Sequence, residues 1–189
     1  MTIGEAVDAL RRGQVVGVPT DTVYGLAIDP FNQDAVSRLF ELKGRPHGKP
    51  VGLLVASRSQ AEEVAEISGA AAALADEHWP GALTLVVTPR VVLSDWVVDT
   101  QLRTRGGMVP DHDGTRALLE AAGPLAVTSA NLAGEPEVSD DEAARALFGD
   151  RVAVYVRGTS PGGVASTVVD ATGSGLTVLR QGAIDLADH

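Results

Sequence analysis

Residues 41–50 read ELKGRPHGKP, where Lys43, Arg45, His47 and Lys49 alternate with Gly44, Pro46 and Gly48. Lys43 and Lys49 are the only lysines; the other 13 bases are arginines. A guanidinium offers phosphate a planar fork, and an ammonium offers a compact point charge. Glycine lets backbone approach a ligand closely, and proline stiffens a loop. The chemistry this pattern suits is a polyphosphate cradle formed by Lys43, Arg45 and Lys49. The plainer alternative is a solvated basic turn, with Lys43 complementing the end of a preceding helix. The G-x-x-x-x-G-K-[ST] spacing of a P-loop is absent.

Three other stretches combine polar groups with a strand end. In VPTDTVYGL (18–26) an apolar run delivers Thr20, Asp21, Thr22 and Tyr24. The carboxyl edge of an α/β sheet is a usual place for a ligand, though an Asx or ST turn beside a packed tyrosine fits equally. In TSANLAGEP (128–136), Ser129 and Asn131 stand two apart. They can hold phosphate oxygens or metal-bound water, or merely begin a turn. Ser166 in STVVD and Arg180 in VLRQGAI place a hydroxyl and a guanidinium on two C-terminal segments, to flank a ligand or to face solvent.

The absence of cysteine excludes disulfides, thiolate catalysis and zinc–sulfur sites. The four histidines are scattered, with no metal-ligand spacing and no nucleophile elbow. A net charge of −10 argues against broad binding to nucleic-acid backbone. The N-terminus lacks the apolar core of a signal peptide, and no apolar run approaches the roughly 20 residues of a membrane span. A soluble cytoplasmic protein without membrane attachment is expected.

The elements that must position these groups alternate. Thr2 and Glu5 form a capping box for a helix to Arg12, with Gly13 closing it. QVVGVP reads as a buried strand, and TDTVYGLAIDP as a polar loop. Asn32 caps a helix through Leu42. Then come strand VGLLVA, one helix over 59–77 broken by WPG, strand ALTLVVTP, and an extended stretch over 91–105. A helix over 113–122, strand LAVTSA and a helix capped by Ser139 follow. VAVYV, STVVDAT and LTVLR complete the strands. The pattern predicts an α/β fold with a twisted mixed sheet and flanking helices, in one domain over 1–189.

Taken in order, VPTDTVYGLAIDP, LFELKGRPHGKP, WPGALTLVV, LAVTSANLAGEP, STVVD and VLRQGAI resemble the YrdC-like family, the threonylcarbamoyl-AMP synthases, in its single-domain form. The resemblance spans residues 14–184. It implies a large concave cleft and the condensation of L-threonine, bicarbonate and ATP to threonylcarbamoyl-AMP and pyrophosphate. The product would pass to a partner transferase that modifies tRNAs reading ANN codons. The resemblance puts Thr22 and Ser166 on threonine, Lys43, Arg45 and Lys49 on the ATP phosphates, and Ser129 and Asn131 near the triphosphate and its Mg²⁺. It puts Ser139 and Arg180 beside the nucleotide, with Mg²⁺ carried by ATP.

One run departs. The family shows arginine, one residue, then proline; here QLRTRGGMVPDH (101–112) offers Arg103 or Arg105 for that arginine, with GGM read as an insertion that lengthens a hairpin or else alters acyl-acceptor specificity. The competing functions are a related enzyme that uses carbamoyl phosphate and a non-enzymatic RNA-binding module.

Overall fold

The computed structural model describes residues 2–44, 51–91, 105–173 and 175–186. Its elements begin with α1 (Ile3–Arg11), whose Thr2–Glu5 capping box forms with both reciprocal hydrogen bonds. β1 (Val16–Val18) and β2 (Gly25–Ile28) follow, then α2 (Gln33–Lys43). Asn32 caps α2 by accepting from the amides of Asp34 and Ala35. Gly44 ends it in the left-handed conformation (φ 59°), which glycine adopts without steric cost.

The chain continues through β3 (Gly52–Leu54), α3 (Arg58–Val64), α4 (Gly69–His78), β4 (Leu83–Val87) and β5 (Arg105–Met108). Then come α5 (Asp113–Ala122), β6 (Leu125–Ser129), α6 (Asp141–Phe148), β7 (Val154–Tyr155), β8 (Thr167–Asp170) and β9 (Thr177–Arg180). Among the described residues these strands form one open mixed sheet, in the order β7-β1-β2-β6-β3-β5-β4-β8-β9. β7–β1, β3–β5 and β4–β8 pair parallel and the other neighbours pair antiparallel, so the α/β sheet is mixed as expected.

Three local expectations are corrected. The polar loop after β1 contains a buried strand, β2. The helix over 59–77 is two helices, parted at Ala65–Ser68, where Ala65 bridges to Pro89 and Ile67 is buried. The cap of α6 is Asp140, whose carboxylate accepts from the Ala143 amide at 2.8 Å, rather than Ser139. Gly106, Gly107 and Met108, read as an insertion, lie in β5, paired with β3 on one side and β4 on the other. Of the stretch expected to be extended, residues 92–104 lie outside the described residues.

The register explains where a cleft can open. On one face α2 and α6 cover β2 and β6 through Leu26, Ile28, Ala126, Phe40 and Phe148. α3 and α4 cover β4 and β8 on that same face through Leu83, Leu85, Val87 and Val169. On the other face α1 and α5 pack over Val16, Val18, Ala27, Leu54 and Leu125. That pair of helices does not reach β4 and β8. Thr84 and Val86, alternating with the buried residues of β4, are therefore only half-buried. This uncovered part of the second face is the floor of the cleft.

Candidate active site

The cleft has a volume of about 610 Å³, within the roughly 300–1,000 Å³ of small-molecule sites. Thr84, Val86, Gly106, Met108, Val127 and Val168 contribute to its lining, with hydroxyls at its margins. At Gly106 a Cβ would stand 3.0 Å from the Thr84 methyl, so a side chain there would crowd the space above the floor.

One wall is the loop Thr20–Val23. The Thr20 hydroxyl donates to the Val23 carbonyl at 2.8 Å and accepts from the Thr22 amide at 3.2 Å. The two threonine hydroxyls lie 3.2 Å apart. Since the Thr20 proton is committed to Val23, the Thr22 hydroxyl is the donor of that pair. Its two lone pairs can accept from a ligand ammonium or hydroxyl. Tyr24, fully buried, donates from its hydroxyl to the Val156 carbonyl at 2.7 Å, and burial pushes its phenol pKa upward. It is an anchor for the loop and stays neutral.

The opposite wall is carried by strands. The Ser166 hydroxyl lies 2.8 Å from the Thr84 hydroxyl. Arg180 donates to the Ser166 carbonyl at 2.9 Å and to its hydroxyl at 3.2 Å. The residues alone suggested that Ser166 and Arg180 flank one ligand, the family resemblance assigned them to different ones, and the structure joins them directly. Thr84 was absent from the sequence reading; its alternation with buried Leu83 and Leu85 was the available signal.

At the rim, Lys43 is 4% exposed. Its ammonium donates to the Ser129 carbonyl, and to Asn131 Oδ1 at 2.9 Å. Asn131 Oδ1 also accepts from the Ser129 hydroxyl at 2.8 Å, while Nδ2 donates to the Glu135 carbonyl at 2.7 Å. Lys43 and Asn131 thus fix the turn after β6 from behind, and Ser129 faces the cleft. A cation set beneath a β-turn is suited to a polyanion at its surface.

The expected residues therefore fall into groups. Thr22, Ser129, Ser166 and Arg180 line the cleft, with Lys43 and Asn131 behind them. Ser139 is exposed and is not part of this lining; its carbonyl accepts from the Ser160 amide at 2.7 Å. Arg45, Lys49 and Arg103 lie outside the described residues, and Arg105 opens β5. Two residues before Pro110, where the family's run has arginine, stands Met108, 7% exposed. Glu137 lines the cleft as well. Among the described residues no group of three histidines and carboxylates is placed to hold a metal ion.

An open mixed sheet with a cleft of this size, hydroxyls on facing walls and a buried ammonium at the rim defines an α/β protein built to bind a polar, anionic small molecule. The chain belongs to the Sua5/YciO/YrdC family, whose model, described as telomere recombination, matches residues 8–182. A relative from Mycobacterium tuberculosis is 42% identical over 184 residues, covering 96% of this chain and 84% of its own. The threonylcarbamoyl-AMP synthase of Vibrio cholerae is 37% identical over 182 residues, covering 94% of this chain and 96% of its own. The solved structure of Pyrococcus abyssi Sua5 complexed with L-threonine superposes with a TM-score of 0.90 at 35% identity. That match covers 98% of this chain and 55% of the Sua5 chain, so this chain spans about half of it.

Proposed function

We propose that this chain is an L-threonylcarbamoyl-AMP synthase, consuming L-threonine, bicarbonate and ATP. The observation that carries the reading is the pair of hydroxyl walls, Thr22 facing Ser166 across one cleft, in a chain whose family includes proteins of that name. In this reading Thr22 accepts from the substrate ammonium or hydroxyl and Ser166 bounds the other side. Lys43, with Arg45 and Lys49, neutralises the ATP phosphates, and Ser129 lies beside them. Asn131 holds Lys43 and Ser129 in register. Arg180 and Ser139 border the nucleotide, and Arg103 or Arg105 supplies a further cation to the substrate carboxylate.

The chemistry needs no protein nucleophile. The threonine amine adds to bicarbonate with loss of water, giving an N-carboxylate. An oxygen of that carboxylate attacks the α-phosphorus, the bond from α-phosphorus to the bridging oxygen breaks, and pyrophosphate leaves. The protein contributes alignment and charge neutralisation. Glu137, the single carboxylate of the cleft lining among the described residues, and the surrounding hydroxyls suit a Mg²⁺ ion that arrives on ATP with its water shell rather than one caged by protein. When bound, that ion supplies charge neutralisation at the phosphates. The product is a mixed anhydride, made for transfer by a separate threonylcarbamoyl transferase to tRNA; a net charge of −10 disfavours direct tRNA binding by this chain.

The test is pyrophosphate release by the purified chain. Release should require L-threonine and bicarbonate together, and carbamoyl phosphate should not replace them. Equal release with neither present defeats the proposal.

A further inference from the structure

The wall loop contains a charged side chain with no part in the chemistry above. Asp21 lies between Thr20 and Thr22, both of which line the cleft, and is itself not in that lining. Its Oδ1 accepts from the Asp111 amide at 2.6 Å, joining segments 90 residues apart. Its Oδ2 is buried and has no hydrogen-bond partner among the described residues.

We propose that Asp21 is a positioning residue: its carboxylate ties the Thr20–Val23 loop to the turn before α5 and so fixes Thr22 at the cleft wall. The inference rests on the role of Thr22 in the proposed reaction.

The anchor is itself stiff. Asp111 accepts from Arg116 at 3.1 Å, and His112 caps α5 by accepting from the Thr115 amide at 3.3 Å. The Thr115 hydroxyl donates to the Pro19 carbonyl at 2.6 Å, holding the entrance to the loop. On the other side the loop is tied to the segment leading to Ser166. The Thr20 amide donates to the Ser160 hydroxyl at 2.9 Å, and the Gly162 amide donates to the Thr22 carbonyl at 2.7 Å. Gly163, Val164 and Ala165 of that segment form cleft wall themselves. Without Asp21, the remote ties left to Thr20 and Thr22 themselves run to a piece of the wall Thr22 must oppose, with Tyr24 holding only the far end of the loop through Val138 and Val156.

The carboxylate is also a poor choice for packing alone. Desolvation raises the Asp21 pKa, and the Asp111 charge adds to this, while the amides of Asp111 and of Asp21 itself and the His112 ring act the other way. A buried carboxylate oxygen without a partner destabilises the fold. Its retention is explained by the one directed bond it makes.

The experiment compares Asp21→Ala with Asp21→Asn, which keeps the Oδ1 acceptor. Ala should raise KM for L-threonine about tenfold or more while KM for ATP moves less than about threefold; Asn should stay within about threefold on both. Both KM values unchanged in Ala, or Asn losing as much as Ala, overturns the proposal. If Ala does not fold, Asp21→Glu displaces the carboxylate by one methylene and should give the same threonine-selective change; a Glu variant with unaltered kinetics overturns it. An arm independent of turnover is hydrogen exchange at the Asp111 amide, which should lose protection in Ala, or in Glu if Ala does not fold. Unchanged protection sinks the tie, whereas a wild-type chain without threonine dependence defeats the proposed reaction and leaves exchange to decide the tie.

Discussion

The two walls of the cleft present the same group, a hydroxyl, by different means. Ser166 immediately precedes β8, so sheet register sets its place, and Arg180 of the neighbouring strand and Thr84 of β4 hold it. Thr22 sits on a loop, and its place depends on hydrogen bonds to segments remote in sequence, through Asp111, Ser160 and Gly162. A strand-borne group is tied to the stability of the sheet. A loop-borne group can be displaced while the sheet stays intact, because local opening costs less than global unfolding. The walls should therefore fail differently when they are cut.

The largest effect is expected at the rim. Lys43→Ala removes a nearly buried ammonium and leaves Asn131 Oδ1 and the Ser129 carbonyl short of a donor. A loss of about 100-fold or more in kcat/KM for ATP is expected, together with a lower melting temperature. Lys43→Arg should not rescue it, because a planar fork does not occupy the space of a point charge. Steady-state kinetics with a thermal melt checks both.

Next, Arg180→Ala releases the Ser166 wall from β9. Its cost should fall on both substrates, about 10- to 100-fold in kcat/KM, since the guanidinium borders the nucleotide while fixing the serine. Thr22→Val should be smaller and one-sided. It should raise KM for L-threonine about tenfold with the melt unchanged, as removing one hydrogen bond to a ligand removes on the order of 1–2 kcal/mol. A variant at Thr22 that lowers the melting temperature as Lys43→Ala does would erase the contrast between the walls.

The smallest effect is a change in pH dependence. Burial raises the Asp21 pKa in the folded chain, so folding favours the protonated carboxyl. That stabilisation is fully present below the ordinary carboxylate value of about 3.9 and is lost as pH rises through the raised folded value. Asp21→Asn, which does not titrate, should flatten this part of the melting profile in mildly acidic buffer. An unaltered profile would place the titration elsewhere.

Much of the framework could be read from local residue chemistry. Thr2–Glu5 and Asn32 fix their helix starts by contacts three residues away, and the alternation along LTLVV predicts one buried face. Failures arose where local rules give two answers or where distant partners decide. GLAI is buried at all four positions, so β2 has no alternation to reveal it. Ser139 and Asp140 are both capable caps, and only the bond to Ala143 chooses. Ala65–Ser68 contains no glycine or proline to mark a helix end, yet the bridge to Pro89 imposes one. Gly106-Gly107 has the composition of a turn, but β3 and β4 claim it as a central strand. In the site, the residue types were legible and their partnerships were not. Lys43 reaches Ser129 and Asn131 across 86 and 88 residues, and Asp21 reaches Asp111 across 90.

The most direct test of the central claim follows the carbon of bicarbonate. The chain is given ATP, L-threonine and ¹³C-bicarbonate, quenched early, and the nucleotides are resolved by mass. The account predicts an adenylate carrying both threonine and the ¹³C label, with one pyrophosphate formed for each. Pyrophosphate without a labelled adenylate or its breakdown products, or an adenylate of threonine that lacks the ¹³C, would contradict it.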